Sequence, residues 1–402
     1  MAHTRLDVAL LFSARSVRLF AYGALSVVLA LYLHESGLTG AGIGLLFTFT
    51  LAGDAGISLW ITTTADRIGR KKMLILGGGL MIMAGVVFSL TGNLALLIIA
   101  AVIGVISPSG NEIGPFLSLE QAALSQLLPS ERRTRAFAWY NLAGSLATAS
   151  GALAGGFLSD GLMHAGFSEL ASYKAVITGY AACGFVLTGL FCFLSPEIEA
   201  TAIVPAQELV LGLHKSKKVV FKLSGLFALD AFAGGFVIQS MVAYWFHIRF
   251  GVDAGTLGSI FFGANILAGV SSLLAIKIAS RIGLINTMVF THIPSNVLLC
   301  LVPLMPNLSL AIFVLLLRFS ISQMDVPTRQ SYTMAVVAPD ERSAASGVTS
   351  IARSVGAAIS PALSGVFLAS PVLLSAPFFV AGGLKIVYDL LLYRSFQKSD
   401  MR

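Results

Sequence analysis

The sequence predicts an all-α membrane protein of twelve transmembrane helices, built as two pseudo-symmetric bundles of six. Three observations predict it: an apolar composition, twelve segments long enough to cross a bilayer, and a repeat that relates the first six segments to the last six. Hydrophobic residues make up 56% of the 402 and charged residues 11%, where a soluble domain holds about 45–50% and about 25%. The mean hydropathy is +0.87. A spanning helix needs about 20 apolar residues. Such runs fall at 8–34, 42–63, 73–91, 94–127, 136–160 and 172–195, and again at 220–249, 254–277, 284–304, 309–336, 344–369 and 376–394. Between the sets lies 196–219, the longest polar connection, with Glu197, Glu199, Glu208, Lys215, Lys217 and Lys218. The expected domains are therefore an N-terminal bundle (1–195), a cytoplasmic linker (196–219) and a C-terminal bundle (220–402).

Charge gives the orientation. Asp66-Arg67-Ile68-Gly69-Arg70-Lys71-Lys72 sets five charges between two apolar segments, so it is a membrane-surface loop, and Lys/Arg-rich short loops face the cytoplasm. With both termini on that side, eighteen of the 26 Lys and Arg lie on or near the cytoplasmic face, two (Lys174 and Arg249) on the other, and the rest inside spans. The net charge of +7 thus belongs to loops on a lipid surface, and no nucleic-acid partner is expected. Met1–Asp7 is short and polar, and the apolar run behind it is too long for the core of a signal peptide. Cys183, Cys192 and Cys300 fall in apolar runs without metal-ligand spacing and read as buried thiols.

The halves match each other. Leu127-Leu128-Pro129-Ser130-Glu131-Arg132 pairs with Val337-Ala338-Pro339-Asp340-Glu341-Arg342 at an offset of 210, and Gly155 with Gly365 at the same offset. Arg67-Ile68-Gly69 pairs with Arg281-Ile282-Gly283 at 214. Duplicated architectures of this kind place the substrate near the bilayer midplane, between repeats.

These residues together resemble the major facilitator superfamily. The loop Asp66-Arg67-x-Gly69-Arg70-Lys71-Lys72 is similar to the family's motif between the second and third spans, with Thr62 where the family has Gly. The resemblance covers the whole chain. It implies alternating access and a cytoplasmic gate that includes Asp66, Arg67, Gly69, Arg70, Arg281, Glu131, Arg132, Glu341 and Arg342. Gly151-Ala152-Leu153-Ala154-Gly155-Gly156 looks like the family's antiporter motif in span 5, with Ala152 replacing its Pro. Gly151, Gly155 and Gly156 are the expected close-packing positions, since small residues let helices approach. The Arg that drug antiporters carry in span 4 is missing from Ala100-Ala101-Val102-Ile103-Gly104.

Charges inside the spans mark the candidate site. A charge near the bilayer centre costs at least about 2.5–3.5 kcal/mol and needs a partner or a water-filled cavity. Ten such residues stand out: Arg15, Arg18, Asp54, Glu112, Glu120, Asp230, Arg318, Asp325, Arg329 and Arg353. Eight fall on spans 1, 4, 7 and 10, which the resemblance implies line the central cavity. Asp230, Glu112 and Asp325 are the candidate proton carriers. Arg15, Arg18 and Arg318 are candidates to hold an anion or act as counter-charges, with Gln239 and Asn111 as further substrate-cavity candidates. The bland alternative is a set of permanent ion pairs that only fix helix packing or gate the cavity, and Glu120, Arg329 and Arg353 are assigned there as gate or packing residues; Asp54 and Arg353 are candidates to pair with each other. Pro108 and Pro115 in span 4, and Pro327 in span 10, should break their helices. The chain carries no Gly-x-x-x-x-Gly-Lys-[Ser/Thr] motif, so an ion gradient or the substrate's own gradient drives it.

The expected function is proton-coupled efflux of a small organic solute, by a monomer in a bacterial inner membrane with both termini cytoplasmic. No enzyme activity, cofactor or metal is expected. An uptake symporter or facilitator for an organic anion is one alternative; a lipid flippase or a non-transporting sensor is another.

Overall fold

The computed structural model describes residues 2–112, 115–199, 213, 215–338 and 341–396. Over those residues the chain is helical with no strand. The helices are α1 (Ala2–Glu35), α2 (Gly40–Ile68), α3 (Arg70–Leu90), α4 (Leu94–Ile103), α5 (Phe116–Leu127), α6 (Ser130–His164) and α7 (Glu169–Cys192). They continue with α8 (Lys217–Gly235), α9 (Gln239–Phe250), α10 (Ala254–Ile282), α11 (Leu284–Leu301), α12 (Leu308–Ser322), α13 (Asp325–Val336), α14 (Arg342–Leu368) and α15 (Ala376–Phe396). Eleven stretches are long and apolar enough to span a membrane, with α8–α9 and α12–α13 each forming one. The twelfth is the interrupted fourth span, α4 followed by α5. Most of the expected linker, 200–212 and residue 214, lies outside the described residues.

The repeat written in the sequence reappears as local geometry. Gly69 (φ 116°) and Gly283 (φ 86°), 214 apart, are the single residues joining α2 to α3 and α10 to α11. A side chain disfavours positive φ, so glycine is suited to both turns. Asn93 and Asn307, again 214 apart, are the N-caps of α4 and α12. The Asn93 side chain accepts from the backbone N–H groups of Ala95 (3.0 Å) and Leu96 (3.3 Å), and that of Asn307 from Leu310 (3.0 Å). Each cap satisfies an orphan donor of the first turn.

The prolines of span 4 do more than kink it. Helix stops at Ile103 and resumes at Phe116, so Glu112 sits on non-helical backbone. Polar groups of the break are satisfied by side chains: the Ser107 hydroxyl donates to the Asn111 carbonyl (2.8 Å), the Asn111 N–H to Ser109 Oγ (3.3 Å), and the buried Tyr180 hydroxyl to the Val105 carbonyl. Such pairing is what allows irregular backbone at membrane depth. Span 10 breaks only at Gln323 and Met324, because Pro327 falls in the first turn of α13, where its missing N–H has no partner to lose.

The chain divides into two compact units: Met1–Thr39, Phe49–Val204 and Val242–Phe262 in the first; Gly40–Thr48, Pro205–Met241 and Gly263–Arg402 in the second. In the first, α1 is the most buried span and packs along α6 and α7. In the second, α8 packs along α14, and α11 against α15. Glycines make the closest approaches. A Cβ on Gly151 would meet the Phe20 carbonyl, and one on Gly155 would lie 2.7 Å from Ala24 Cα, so α6 touches α1 backbone to backbone. Gly156 abuts Ala254 and Gly258 within the first unit, while Gly44 abuts Pro361 and Gly365 within the second. Gly44 and Gly258 are themselves 214 apart. Outward, large apolar side chains such as Phe185, Phe290 and Phe313 are exposed, as lipid contact requires and a soluble surface would not tolerate in such numbers.

These contacts predict opposite outcomes for one substitution at two positions of α6. Gly151→Ala forces the helices apart and should destabilise by about 1–3 kcal/mol. Gly161→Ala meets nothing within 4 Å and should gain up to about 1 kcal/mol from helix propensity. Thermal unfolding of the purified variants in detergent checks the pair.

Candidate functional site

In the first unit the charged residues of spans 1 and 4 converge. Arg15, Arg18 and Tyr22 share one face of α1, at spacings of three and four. Arg18 is fully buried and forks onto Glu120, with Nη1 and Nη2 each 2.7 Å from a carboxylate oxygen, while its Nε donates to Glu112 at 2.9 Å. The Tyr140 hydroxyl also donates to Glu120, and the Arg18 guanidinium lies 4.5 Å from the Phe116 ring centroid. Two parallel bonds to one carboxylate are the strongest form of this contact. Arg15 is held more loosely. Its Nη1 is 2.8 Å from Glu112 Oε2, but off the line of a hydrogen bond, and its Nε is buried without an acceptor. The Glu112 side chain is 13% exposed where that of Glu120 is 0%. The Tyr22 hydroxyl, one turn beyond Arg18, is buried with no hydrogen-bond partner.

In the second unit one carboxylate gathers three cations. Asp230 on α8 accepts from Lys385 Nζ of α15 at 2.6 Å, from Arg329 Nη1 of α13 at 3.0 Å and from Arg353 Nη1 of α14 at 3.3 Å. Arg329 also reaches Asp325, one turn back on its own helix, at 3.0 Å. One turn on from Lys385, buried Asp389 accepts from His292 Nδ1 (2.8 Å) and Asn296 Nδ2 (3.1 Å) of α11. Arg353, a candidate partner of Asp54 from sequence, thus reaches Asp230. Arg318 reaches no carboxylate among the described residues. Gln239 accepts from Asn265 at 3.4 Å, and the Asn111 side chain is exposed.

Several of the residues expected at the gate are held by hydrogen bonds. Arg70 donates to Asp66 (2.9 Å), to Gln126 (3.0 Å) and to the Ile198 carbonyl (3.2 Å). Glu199 caps α3 by accepting from the N–H groups of Arg70 (2.6 Å) and Lys71 (3.2 Å), which suits a carboxylate at the positive end of a helix. Glu341 binds the two residues that lead into α8, accepting from the N–H groups of Lys215 (2.7 Å) and Ser216 (2.8 Å). Arg342 donates to the Met334 carbonyl at 3.0 Å. Arg67, Arg132 and Arg281 are exposed. The side chain of Glu131 lies outside the described residues.

Relatives place this geometry in a family. The sequence profile of the Major Facilitator Superfamily matches residues 11–361. The chain belongs to this superfamily. Its members are transporters, and the twelve-helix fold agrees. A full-length relative is the uncharacterized membrane protein YJR124C of Saccharomyces cerevisiae, 30% identical over 98% of this chain and 95% of its own. Multidrug resistance protein MdtG of Escherichia fergusonii is 26% identical over 65% of this chain and 62% of its own. Among solved structures, the nucleoside transporter NupG superposes with a TM-score of 0.72 over 97% of this chain and 99% of that one, at 14% identity, a likeness of fold alone.

Three residues of the second cluster are absent from the set that sequence singled out: Lys385, Asp389 and His292. Their signal is present. Lys385 and Asp389 sit four apart in an apolar span, and intramembrane charges on one helix face demand partners on another. The partners themselves lie about a hundred residues away or more, beyond the reach of local pattern.

The second cluster predicts an asymmetry. Asp230→Asn strips three cations of their shared carboxylate, whereas Lys385→Met leaves Asp230 with both arginines. Asp230→Asn should therefore destabilise by about 3–5 kcal/mol, the cost of breaking a buried pair, and Lys385→Met by clearly less. Chemical unfolding of both variants reads the difference.

Proposed function

We propose that this superfamily member is a monomeric secondary active transporter that exports a small organic solute by alternating access, coupled to protons, in a cytoplasmic membrane with both termini on the cytoplasmic side. The N- and C-terminal halves would act as the moving bodies, joined by the 196–219 linker. Export is favoured by the relative named for multidrug resistance. Proton coupling is favoured by one observation above the rest. Glu112 lies on non-helical backbone between two arginines, partly exposed, and one of its two contacts lacks hydrogen-bond geometry. A proton arriving at Glu112 would remove its charge and release Arg15, while Glu120 keeps Arg18 in place through its two 2.7 Å bonds.

Asp230 and Asp325 are held more firmly. Asp230 is bonded to Lys385, Arg329 and Arg353, and Asp325 to Arg329. They fit a positioning role better than a cycle of gain and loss. The same comparison moves Arg15 from anion holder to switch partner.

The experiment uses proteoliposomes and whichever solute cells lacking the gene accumulate. An imposed pH gradient should accelerate transport of that solute by the native protein. Glu112→Gln should keep counterflow exchange yet lose the response to the gradient. A Glu112→Gln variant that answers the gradient as the native chain does would remove Glu112 from the coupling path, and a native protein indifferent to the gradient would remove proton coupling itself.

A further inference from the structure

The intramembrane cations of the second unit are not all neutralised. Arg329, Arg353 and Lys385 each reach Asp230. Arg318, on α12, reaches no carboxylate among the described residues, and its Nε is buried with no hydrogen-bond partner. One turn along the same helix face, Ser322 is 4% exposed and its hydroxyl likewise has no hydrogen-bond partner among the described residues. Two unsatisfied polar groups at a spacing of four on one face make a small donor site with no acceptor in it. Asp325 acts on Arg318 through space only and is itself bonded to Arg329. A cation within an apolar span is costly without a contacting counter-charge, so this position is suited to one that arrives and leaves.

We infer that Arg318, with Ser322, holds the carboxylate of a small organic anion. The guanidinium carbon lies 5.0 Å from the centroid of the Phe319 ring. With an aromatic ring beside it, the planar fork keeps in-plane N–H donors available for a two-pronged bond to an oxyanion. The Ser322 hydroxyl can supply one more donor. Depth separates this anion from a lipid headgroup. Arg318 lies ten residues into the helix that starts at Leu308, about 15 Å along its axis, well below the level at which headgroup phosphates sit. The arginines of the first unit differ from Arg318 in that each lies in direct contact with a carboxylate, Arg15 with Glu112 and Arg18 with Glu112 and Glu120. This inference names the substrate class of the proposed transporter and rests on that reading. Its test uses neither flux nor a pH gradient, so the two can fail separately.

Thermal unfolding of the full chain in phosphatidylcholine nanodiscs provides that test, with benzoate and succinate compared against their neutral amides. At least one carboxylate should raise the midpoint of the native protein by about 2 °C or more at saturating concentration, and its amide should not. Arg318→Gln should abolish the shift, Arg318→Lys keep part of it, and Ser322→Ala reduce it. Without ligand, Arg318→Gln should unfold no lower than the native protein, because it removes an unpaired charge; Arg18→Gln, which orphans Glu120, should unfold far lower. Three results overturn the inference: no carboxylate effect over the amide, a ligand-free loss in Arg318→Gln as large as in Arg18→Gln, or an Arg318-dependent shift produced only by phosphatidylglycerol in the nanodisc, which would assign the site to a lipid headgroup.

Discussion

Buried guanidinium–carboxylate contact is the constraint on which the rest of this structure depends. A charge within a span needs a partner or a water-filled cavity, so each ion pair formed between spans dictates which helices must lie side by side. Arg18 ties α1 to the second half of span 4 through Glu120. Asp230 draws α13, α14 and α15 onto α8 through three separate cations. Apolar packing alone would leave such helices free to slide, because a lipid tail is as good a neighbour as a leucine. The ion pairs fix partners and register, and the glycines of α6 then let the backbones close to contact distance.

The two halves solve this problem differently although they share a repeat. Local devices are conserved between them: the Asn93 and Asn307 caps, the Gly69 and Gly283 turns, and the small residues at Gly44 and Gly258 all keep an offset of 214. The charged centres do not follow the offset. The first unit balances two arginines with two glutamates around a wide helix break. The second concentrates three cations on one aspartate, adds the His292–Asp389 contact, and leaves Arg318 over. Duplication thus preserved the scaffold while the interiors diverged in charge.

Sequence carried the fold almost completely, because its signals are local. Span length, loop charge and the turn residues act over a few positions, and the Asp66–Arg70 contact is a one-turn spacing visible by eye. Pro108 and Pro115 announced a break, though not that Glu112 would sit on non-helical backbone. What could not be read was partner choice. Whether Arg18 would take Glu112, Glu120 or both depends on how α5 resumes after the break. That Lys385 would cross 155 residues of sequence to reach Asp230 depends on the packing of α15 against α8. Glu199 shows the same limit: in sequence it is one acid among several in the polar connection, and only the folded loop turns it onto the N-terminus of α3.

A double-mutant cycle between Arg18 and Glu120 tests the central claim most directly, read as unfolding free energy in a lipid-like micelle. If the buried pair fixes the contact between α1 and α5, Arg18→Gln and Glu120→Gln will each be strongly destabilising, and the double variant will recover much of the loss, with a coupling near the upper end of the usual range of about 0.5–3 kcal/mol. Additive losses, with no recovery in the double variant, would contradict it and return the register of α1 to apolar packing alone.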